Sequence, residues 1–224
     1  DYTNTREITI TENTNLYAVY SRKLNVNYNS NGGSGTVNST SKTIYVNSNS
    51  TTTSSQALNL ASNAFTKTGY TFSKWTAGST SGTEYSAGAS YNPSLAYNAS
   101  SFDVTMYAKW TAITYSVKYN GNGSNSGSIS NSSHTYDIAK SLTENAFTKT
   151  GYTFIGWSTA SDGSVEYEDG ESVTNLSSTS GATVILYAQW NANTYTVTYN
   201  CNGGTGTTAS SSHTYGVAKN LTAN

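Results

Sequence analysis

Apolar and aromatic residues in this chain alternate with polar ones in short runs, the two-residue period of strands with one buried face. Leu24, Val26 and Tyr28 form one such run, and Tyr115-Ser116-Val117-Lys118-Tyr119 and Tyr195-Thr196-Val197-Thr198-Tyr199 form two more. Asn29-Ser30-Asn31-Gly32-Gly33-Ser34-Gly35 follows the first and Asn120-Gly121-Asn122-Gly123 the second, while Gly203-Gly204 lies just beyond the third. Such stretches supply the positive-φ residues of a hairpin turn. A returning strand is predicted near Lys42 to Asn47. Gln56-Ala57-Leu58-Asn59-Leu60-Ala61 reads as one short helix covering the sheet. Gly69 ends it, Tyr70-Thr71-Phe72 restarts the strand period, and Val104 to Trp110 closes the series.

The series then recurs. Ala64-Phe65-Thr66-Lys67-Thr68-Gly69-Tyr70-Thr71-Phe72-Ser73-Lys74-Trp75 returns as Ala146-Phe147-Thr148-Lys149-Thr150-Gly151-Tyr152-Thr153-Phe154-Ile155-Gly156-Trp157. Val104-Thr105-Met106-Tyr107-Ala108-Lys109-Trp110 returns as Val184-Ile185-Leu186-Tyr187-Ala188-Gln189-Trp190. Trp75 and Trp157 are 82 residues apart, Trp110 and Trp190 80 apart, so the chain is a tandem array. Two full repeats are read at 24–111 and 112–190. Residues 1–23 match the end of a preceding repeat: Asn15-Leu16-Tyr17-Ala18-Val19-Tyr20 resembles the closing phrase, and Glu7-Ile8-Thr9-Ile10-Thr11 alternates like a strand. Residues 191–224 match the opening hairpin of a third repeat, with His213-Thr214-Tyr215 echoing His134-Thr135-Tyr136. The first repeat carries a nine-residue insertion at the polar run Ser48 to Ser55, an expected surface loop.

The recurring aromatic and glycine positions are the predicted structural core: Trp75, Trp110, Trp157, Trp190, Tyr70, Tyr152, Phe72, Phe154, Gly69 and Gly151. Large rings bury about 150–250 Å² each. Four strands with one short helix give a mainly β, α+β layer with one sheet face covered. The joints Thr111-Ala112-Ile113 and Asn191-Ala192-Asn193 leave little slack, from which an extended rod is predicted.

Composition narrows the function. Charged residues are 10% of the 224 and the formal net charge is −1. That leaves no electrostatic footprint for nucleic acid or an anionic membrane. The 19 Tyr, 5 Phe and 4 Trp argue for a folded chain despite its polar, low-charge surface. No run of 18 apolar residues appears, so no segment here is expected to enter a membrane. Asp1-Tyr2-Thr3-Asn4 does not begin a signal peptide, so any export signal is expected to lie outside this sequence or to have been removed.

Candidate chemistry was weighed by comparing copies. His134 and His213 recur, but one histidine per repeat without a companion ligand does not make a zinc site, and both read as partly exposed strand residues. Glu166, Glu168, Asp169 and Glu171 form the one acidic cluster, a composition suited to Ca²⁺ or to glycoside hydrolysis. The first repeat aligns Glu84, Ser86, Ala87 and Ala89 there, so one acid recurs and solvated surface is the simpler reading. Cys201, the sole cysteine, excludes an intrachain disulfide and sits in a turn without basic neighbours. Catalytic residues, metal ligands and cofactors are therefore expected to be absent. Tyr85, Tyr91, Tyr97 and Tyr167 lie in connections, where they form a candidate binding surface for protein or glycan.

The Tyr-x-Val-x-Tyr-Asn opening, the Lys-Thr-Gly-Tyr-Thr-Phe-x-x-Trp middle and the Leu-Tyr-Ala-x-Trp ending together resemble the Listeria–Bacteroides repeat, also called the internalin B-repeat. The resemblance spans nearly the whole chain. It implies a β-grasp (ubiquitin-like) unit from extracellular, multi-repeat bacterial surface proteins. The expected role is a non-enzymatic spacer or stalk at the cell surface, with neighbouring repeats as partners and self-assembly into a filament as an extension. The alternative is an adhesin-type module for host protein or glycan. Lys74 in place of Gly156 departs from the shared text.

Overall fold

The computed structural model describes residues 9–47, 57–93 and 101–223. The chain groups into two units, Asp1–Lys67 with Thr71–Thr111, and Thr68–Tyr70 with Ala112–Asn224.

The first unit contains β1 (Val19–Asn29), β2 (Thr40–Asn47), β3 (Leu58–Asn59), β4 (Tyr70–Ala77, from Thr71 on), β5 (Glu84–Tyr85), β6 (Ser90–Tyr91) and β7 (Ser101–Ala112, up to Thr111). Five strands form a mixed sheet in the order β2-β1-β7-β4-β5. β1 and β2 are an antiparallel hairpin, and β1 lies parallel to β7 from Lys23↔Ser101 to Asn29↔Tyr107. The hairpin turns where Asn31 and Gly32 take φ of 47° and 84°, as the sequence predicts. The Asn29 side chain accepts from the Asn31 amide (2.8 Å), closing an Asx turn.

The second unit contains β8 (Thr114–Asn120), β9 (Ser132–Thr135), β10 (Lys140–Ser141), β11 (Tyr152–Ser158), β12 (Ser172–Val173), β13 (Thr183–Ala192), β14 (Thr194–Val197) and β15 (Ser211–Thr214). Its main sheet runs β11-β13-β8-β9, and the first and last strands of the repeat again pair in parallel, from Thr183↔Ser116 to Tyr187↔Asn120. β14 and β15 form a separate antiparallel hairpin.

The α+β expectation is corrected: the described residues hold no helix. The described part of the predicted helix is extended instead, because its backbone groups bond across rather than along the chain. Leu58–Asn59 pairs with Ser90–Tyr91, the Leu60 amide donates to Ala89 O (2.9 Å), and the Ala61 amide donates to Tyr28 Oη (2.7 Å). Leu60 is thereby buried at 3% exposure, and its counterpart Leu142 is buried to the same degree beside β10 and β12. A six-residue stretch is too short to repay helix nucleation by itself, so packing decides its form.

The N-terminal expectations also shift. Glu7 and Ile8 lie outside the described residues, as do Ser48 to Ser55. Thr9–Thr11 belong to no strand, and Ile10 and Leu16 are exposed. Of the closing phrase, Val19 and Tyr20 lie in a strand, as the start of β1.

Each repeat has its own core. Trp75 and Trp157 are both fully buried, in matching surroundings. Trp75 packs against Tyr28, Phe65 and Phe72 at ring separations of 4.8, 6.0 and 4.8 Å. Trp157 packs against Tyr119, Phe147 and Phe154 at 5.1, 6.4 and 5.0 Å. Trp110 and Trp190 are half-buried, edge-on to Phe72 and Phe154. Their indole N–H groups donate to Ser30 O (2.9 Å) and Gly121 O (3.0 Å), fastening each hairpin turn to the closing strand.

Candidate functional site

Three local arrangements stand out, and the first two recur from copy to copy. The first is a hub built on the tyrosine near the end of each opening strand, Tyr28 in β1, Tyr119 in β8 and Tyr199 just past β14. Tyr28 Oη shares a hydrogen bond with Thr40 Oγ1 (3.0 Å) and accepts from the Ala61 amide (2.7 Å). Tyr119 does the same with Ser132 Oγ (3.1 Å) and the Thr143 amide (2.7 Å). Tyr199 repeats it with Ser211 Oγ (2.9 Å) and the Thr222 amide (2.8 Å). One phenol therefore ties the opening strand, the returning strand and the crossing segment together. The tyrosines stood out in the sequence as strand residues; the role of their hydroxyls did not, because the partners lie between 12 and 33 residues away.

The second is a joint within the second unit, made by Gly151, Tyr152, Asn193 and Tyr215. The Asn193 amide donates to Gly151 O (2.8 Å), and the Tyr215 amide donates to Asn193 O (2.8 Å). Gly151 has φ of +77°, and a Cβ there would lie 2.2 Å from the Tyr215 ring. Tyr152 meets the same ring edge-on at 5.7 Å. The geometry is repeated in that unit by Gly69, Tyr70, Ile113 and Tyr136. Ile113 N donates to Gly69 O (3.0 Å), Tyr136 N donates to Ile113 O (3.0 Å), and a Cβ on Gly69 would lie 2.2 Å from the Tyr136 ring. Here Tyr70 Oη also donates to Asp137 Oδ2 (2.8 Å), a bond that raises the Tyr70 pKa above the ordinary phenol value. Gly69 is buried and Tyr70, Gly151 and Tyr152 are half-buried, so these residues, predicted as core, sit at the joints.

The third is the open hairpin β14–β15. Tyr115 and Leu142 are 2% and 3% exposed in the full second repeat, whereas the equivalent Tyr195 and Leu221 are 52% and 65% exposed. A concavity of about 620 Å³ lies beside this hairpin, lined by Tyr199, Cys201, Thr207 and Thr222 among others.

The remaining candidates separate. His134 is 1% exposed, correcting the expectation of a partly exposed strand residue: its register against Tyr115 turns it into the sheet's covered face, where the rings stack at 5.6 Å. Ser132 Oγ bonds His134 Nε2 (2.9 Å), and burial, followed by the Lys140 charge, pushes the His134 pKa below its ordinary value. His213 has the same bond to Ser211 Oγ (2.8 Å) but is half-exposed. The acidic residues are dispersed into loop bonds. Glu166 accepts from Thr159 and, more weakly, Ser158, which lower its pKa, and Asp169 caps the Asn145 amide (2.8 Å). Glu171 accepts from the Glu168 amide (2.7 Å). Glu84 is paired with Lys109 and Lys74 on the surface, and the Lys109 bond lowers its pKa first. Cys201 is exposed in its turn.

Of the candidate binding tyrosines, Tyr91 is buried, correcting its assignment to the surface: its place on β6 turns it onto the first core. Tyr85 is half-buried against it at 5.2 Å, and Tyr167 is half-buried against the second core, bridged to Trp157 through backbone. Tyr97 lies outside the described residues.

These recurring elements define an all-β tandem-repeat protein. The chain belongs to the Listeria-Bacteroides repeat domain family, whose pattern matches residues 25–109 and 115–189. It is also similar to two curated proteins of Evansella cellulosilytica. One, named "Putative Gly-rich membrane protein", is 36% identical over 142 residues, 62% of this chain and 16% of that protein. The other, named "Putative membrane protein", is 35% identical over 94 residues, 41% of this chain and 14% of that protein. The chain therefore matches about a sixth of the length of these relatives.

Proposed function

We propose that this chain is a non-enzymatic structural segment of a bacterial cell-envelope protein, a folded spacer on the extracellular side. The observation that supports this reading best is the glycine–tyrosine joint at Gly151/Tyr215, which recurs at Gly69/Tyr136 with the same backbone bonds. A short, hydrogen-bonded connection of this kind suits a spacer. The family and the relatives' names support an envelope location. Each full repeat is best read as a β-grasp unit, because its first and last strands pair in parallel at the centre of the sheet. The extended crossing segment takes the position a helix would otherwise occupy. The binding-module reading is weaker, since Tyr85, Tyr91 and Tyr167 pack against the two cores.

Small-angle X-ray scattering of the 224-residue chain tests the proposal. A compact globule of this length has a radius of gyration of about 17 Å. The spacer reading expects a clearly larger radius and an asymmetric distance distribution, and a value near that of a globule overturns it.

A further inference from the structure

Asparagine followed by glycine is chemically labile, because a residue without Cβ lets its amide nitrogen reach the preceding carboxamide. Within the two full repeats this pair occurs at Asn31-Gly32, Asn120-Gly121 and Asn122-Gly123. The fold treats the three differently. Asn31 Nδ2 donates to Ala108 O (2.9 Å), and Asn122 Nδ2 donates to Ala188 O (2.9 Å) and Ser161 O (2.6 Å). At both positions the nitrogen that would leave as ammonia is held on backbone carbonyls. Asn120 Nδ2 has no partner among the described residues, and Asn120 is exposed.

Asn120 is also the better electrophile. Its Oδ1 accepts from the Asn122 amide (2.9 Å), an Asx turn that folds the carboxamide back over the Gly121 peptide nitrogen. The same N–H stabilises the negative charge that collects on Oδ1 as Cγ is attacked. Asn29 and Asn200 make equivalent turns with the amides of Asn31 and Asn202, but Ser30 and Cys201 follow them. Packing fixes the glycine at 121, where a Cβ would lie 2.2 Å from Ser124 Oγ and 2.8 Å from Phe147 Cδ1. The first repeat reverses this pair, with Ser30 and Gly33 in place of Gly121 and Ser124. The turn bond is the same in each, Gly33 N to Ser30 O (3.1 Å) and Ser124 N to Gly121 O (3.0 Å).

We propose, independently of the spacer reading, that Asn120-Gly121 is a site of spontaneous intramolecular modification. Gly121 N bonds to Asn120 Cγ, and the Cγ–Nδ2 bond breaks. The proton from Gly121 N leaves with that nitrogen as ammonia, and a five-membered succinimide remains. Water then opens either carbonyl of the ring, giving aspartate or isoaspartate, with no change of oxidation state. Isoaspartate inserts an extra carbon into the main chain just before Gly121, whose carbonyl accepts from Trp190 Nε1 (3.0 Å). The modification therefore loosens the fastening of hairpin turn to closing strand in the second repeat.

Peptide mapping by mass spectrometry, on the 224-residue chain aged at neutral and mildly alkaline pH, tests the assignment. Fragmentation separates residue 120 from residue 122 within one peptide. Asn120 is expected to convert about two- to tenfold faster than Asn31 and Asn122, the rate equivalent of one net hydrogen bond. In urea, where the fold no longer discriminates, the three rates are expected to converge. Gly121→Ser combined with Ser124→Gly installs the first repeat's pair and is expected to slow conversion at Asn120, with tryptophan fluorescence checking that the core persists. Asn31 or Asn122 converting as fast as Asn120 in the folded chain would overturn the proposal. So would an Asn120 that converts in urea alone, or a double variant with an intact core and an unchanged rate.

Discussion

The Tyr215 ring fills the space that a side chain on residue 151 would need, at 2.2 Å from the position of a Cβ. Glycine is required there twice, for the approach of the ring and for a φ of +77°. Gly151→Ala is expected to loosen the joint by about 1–3 kcal/mol. Native-state hydrogen exchange reads this directly. The Tyr215 amide, bonded to Asn193 O, should exchange at least about tenfold faster while amides of β8 and β13 keep their protection. Unchanged exchange at Tyr215 would show that the ring and the glycine are not coupled.

The two interior tryptophans differ by one bond. Trp75 Nε1 donates to Ala61 O (3.0 Å), whereas Trp157 Nε1 is buried without a partner. Trp75→Phe removes a made hydrogen bond and leaves the Ala61 carbonyl unsatisfied. Trp157→Phe removes an unsatisfied donor. Urea denaturation of the two variants should place Trp75→Phe lower in stability by about 1 kcal/mol. Equal losses would mean the indole bond contributes nothing net.

The hub tyrosines give a graded series. Tyr119→Phe leaves the Thr143 amide without its acceptor in a packed repeat and should cost about 1–3 kcal/mol. Tyr199→Phe frees the Thr222 amide in an open hairpin, where water replaces the phenol, and should cost far less. Thermal unfolding of the two variants compares them, and a Tyr199→Phe loss as large as that of Tyr119→Phe would contradict the hub argument.

His134 is expected to make the second repeat sensitive to acid. Its folded pKa lies below the ordinary value of about 6.5, so the unfolded chain binds the proton first. Stability is full above pH 6.5 or so and declines as pH falls from there toward the folded pKa. His134→Phe, which keeps a ring against Tyr115, should flatten the decline in urea midpoints between neutral and mildly acidic pH. A slope identical to that of the parent would assign the acid sensitivity to other groups.

Much of this was legible in the sequence because the chain writes its plan twice. Spacing alone pairs Trp75 with Trp157, and the Asn-Gly turns announce their hairpins. The crossing segment is ambiguous in the sequence, because Leu58, Leu60 and Ala61 suit a helix face as well as a two-residue period. What decides between them is the Tyr28 hydroxyl and the Ala89 carbonyl, neither visible in a local pattern. The full burial of His134, expected to be partly exposed, is hidden for a related reason: it depends on register against Tyr115, which turn length alone leaves open. The Lys74 and Gly156 difference also resolves structurally. Gly156 has φ of +141° at a register shift in the β11–β13 pair, and a Cβ there would lie 2.5 Å from Val165 Cγ1. Lys74 carries a side chain at the matching position, where it reaches Glu84 at 3.5 Å.

The parallel pairing of β8 with β13 fixes how the second repeat meets tension. Chain enters the pair at Thr114 and leaves it at Ala192, at opposite ends of two strands that run the same way. Stretching the backbone from those points slides one strand along the other. The residue pairs from Thr183↔Ser116 to Tyr187↔Asn120 then strain together instead of peeling apart one after another. Resistance to pulling is therefore written into strand direction, apart from the equilibrium stability of the core.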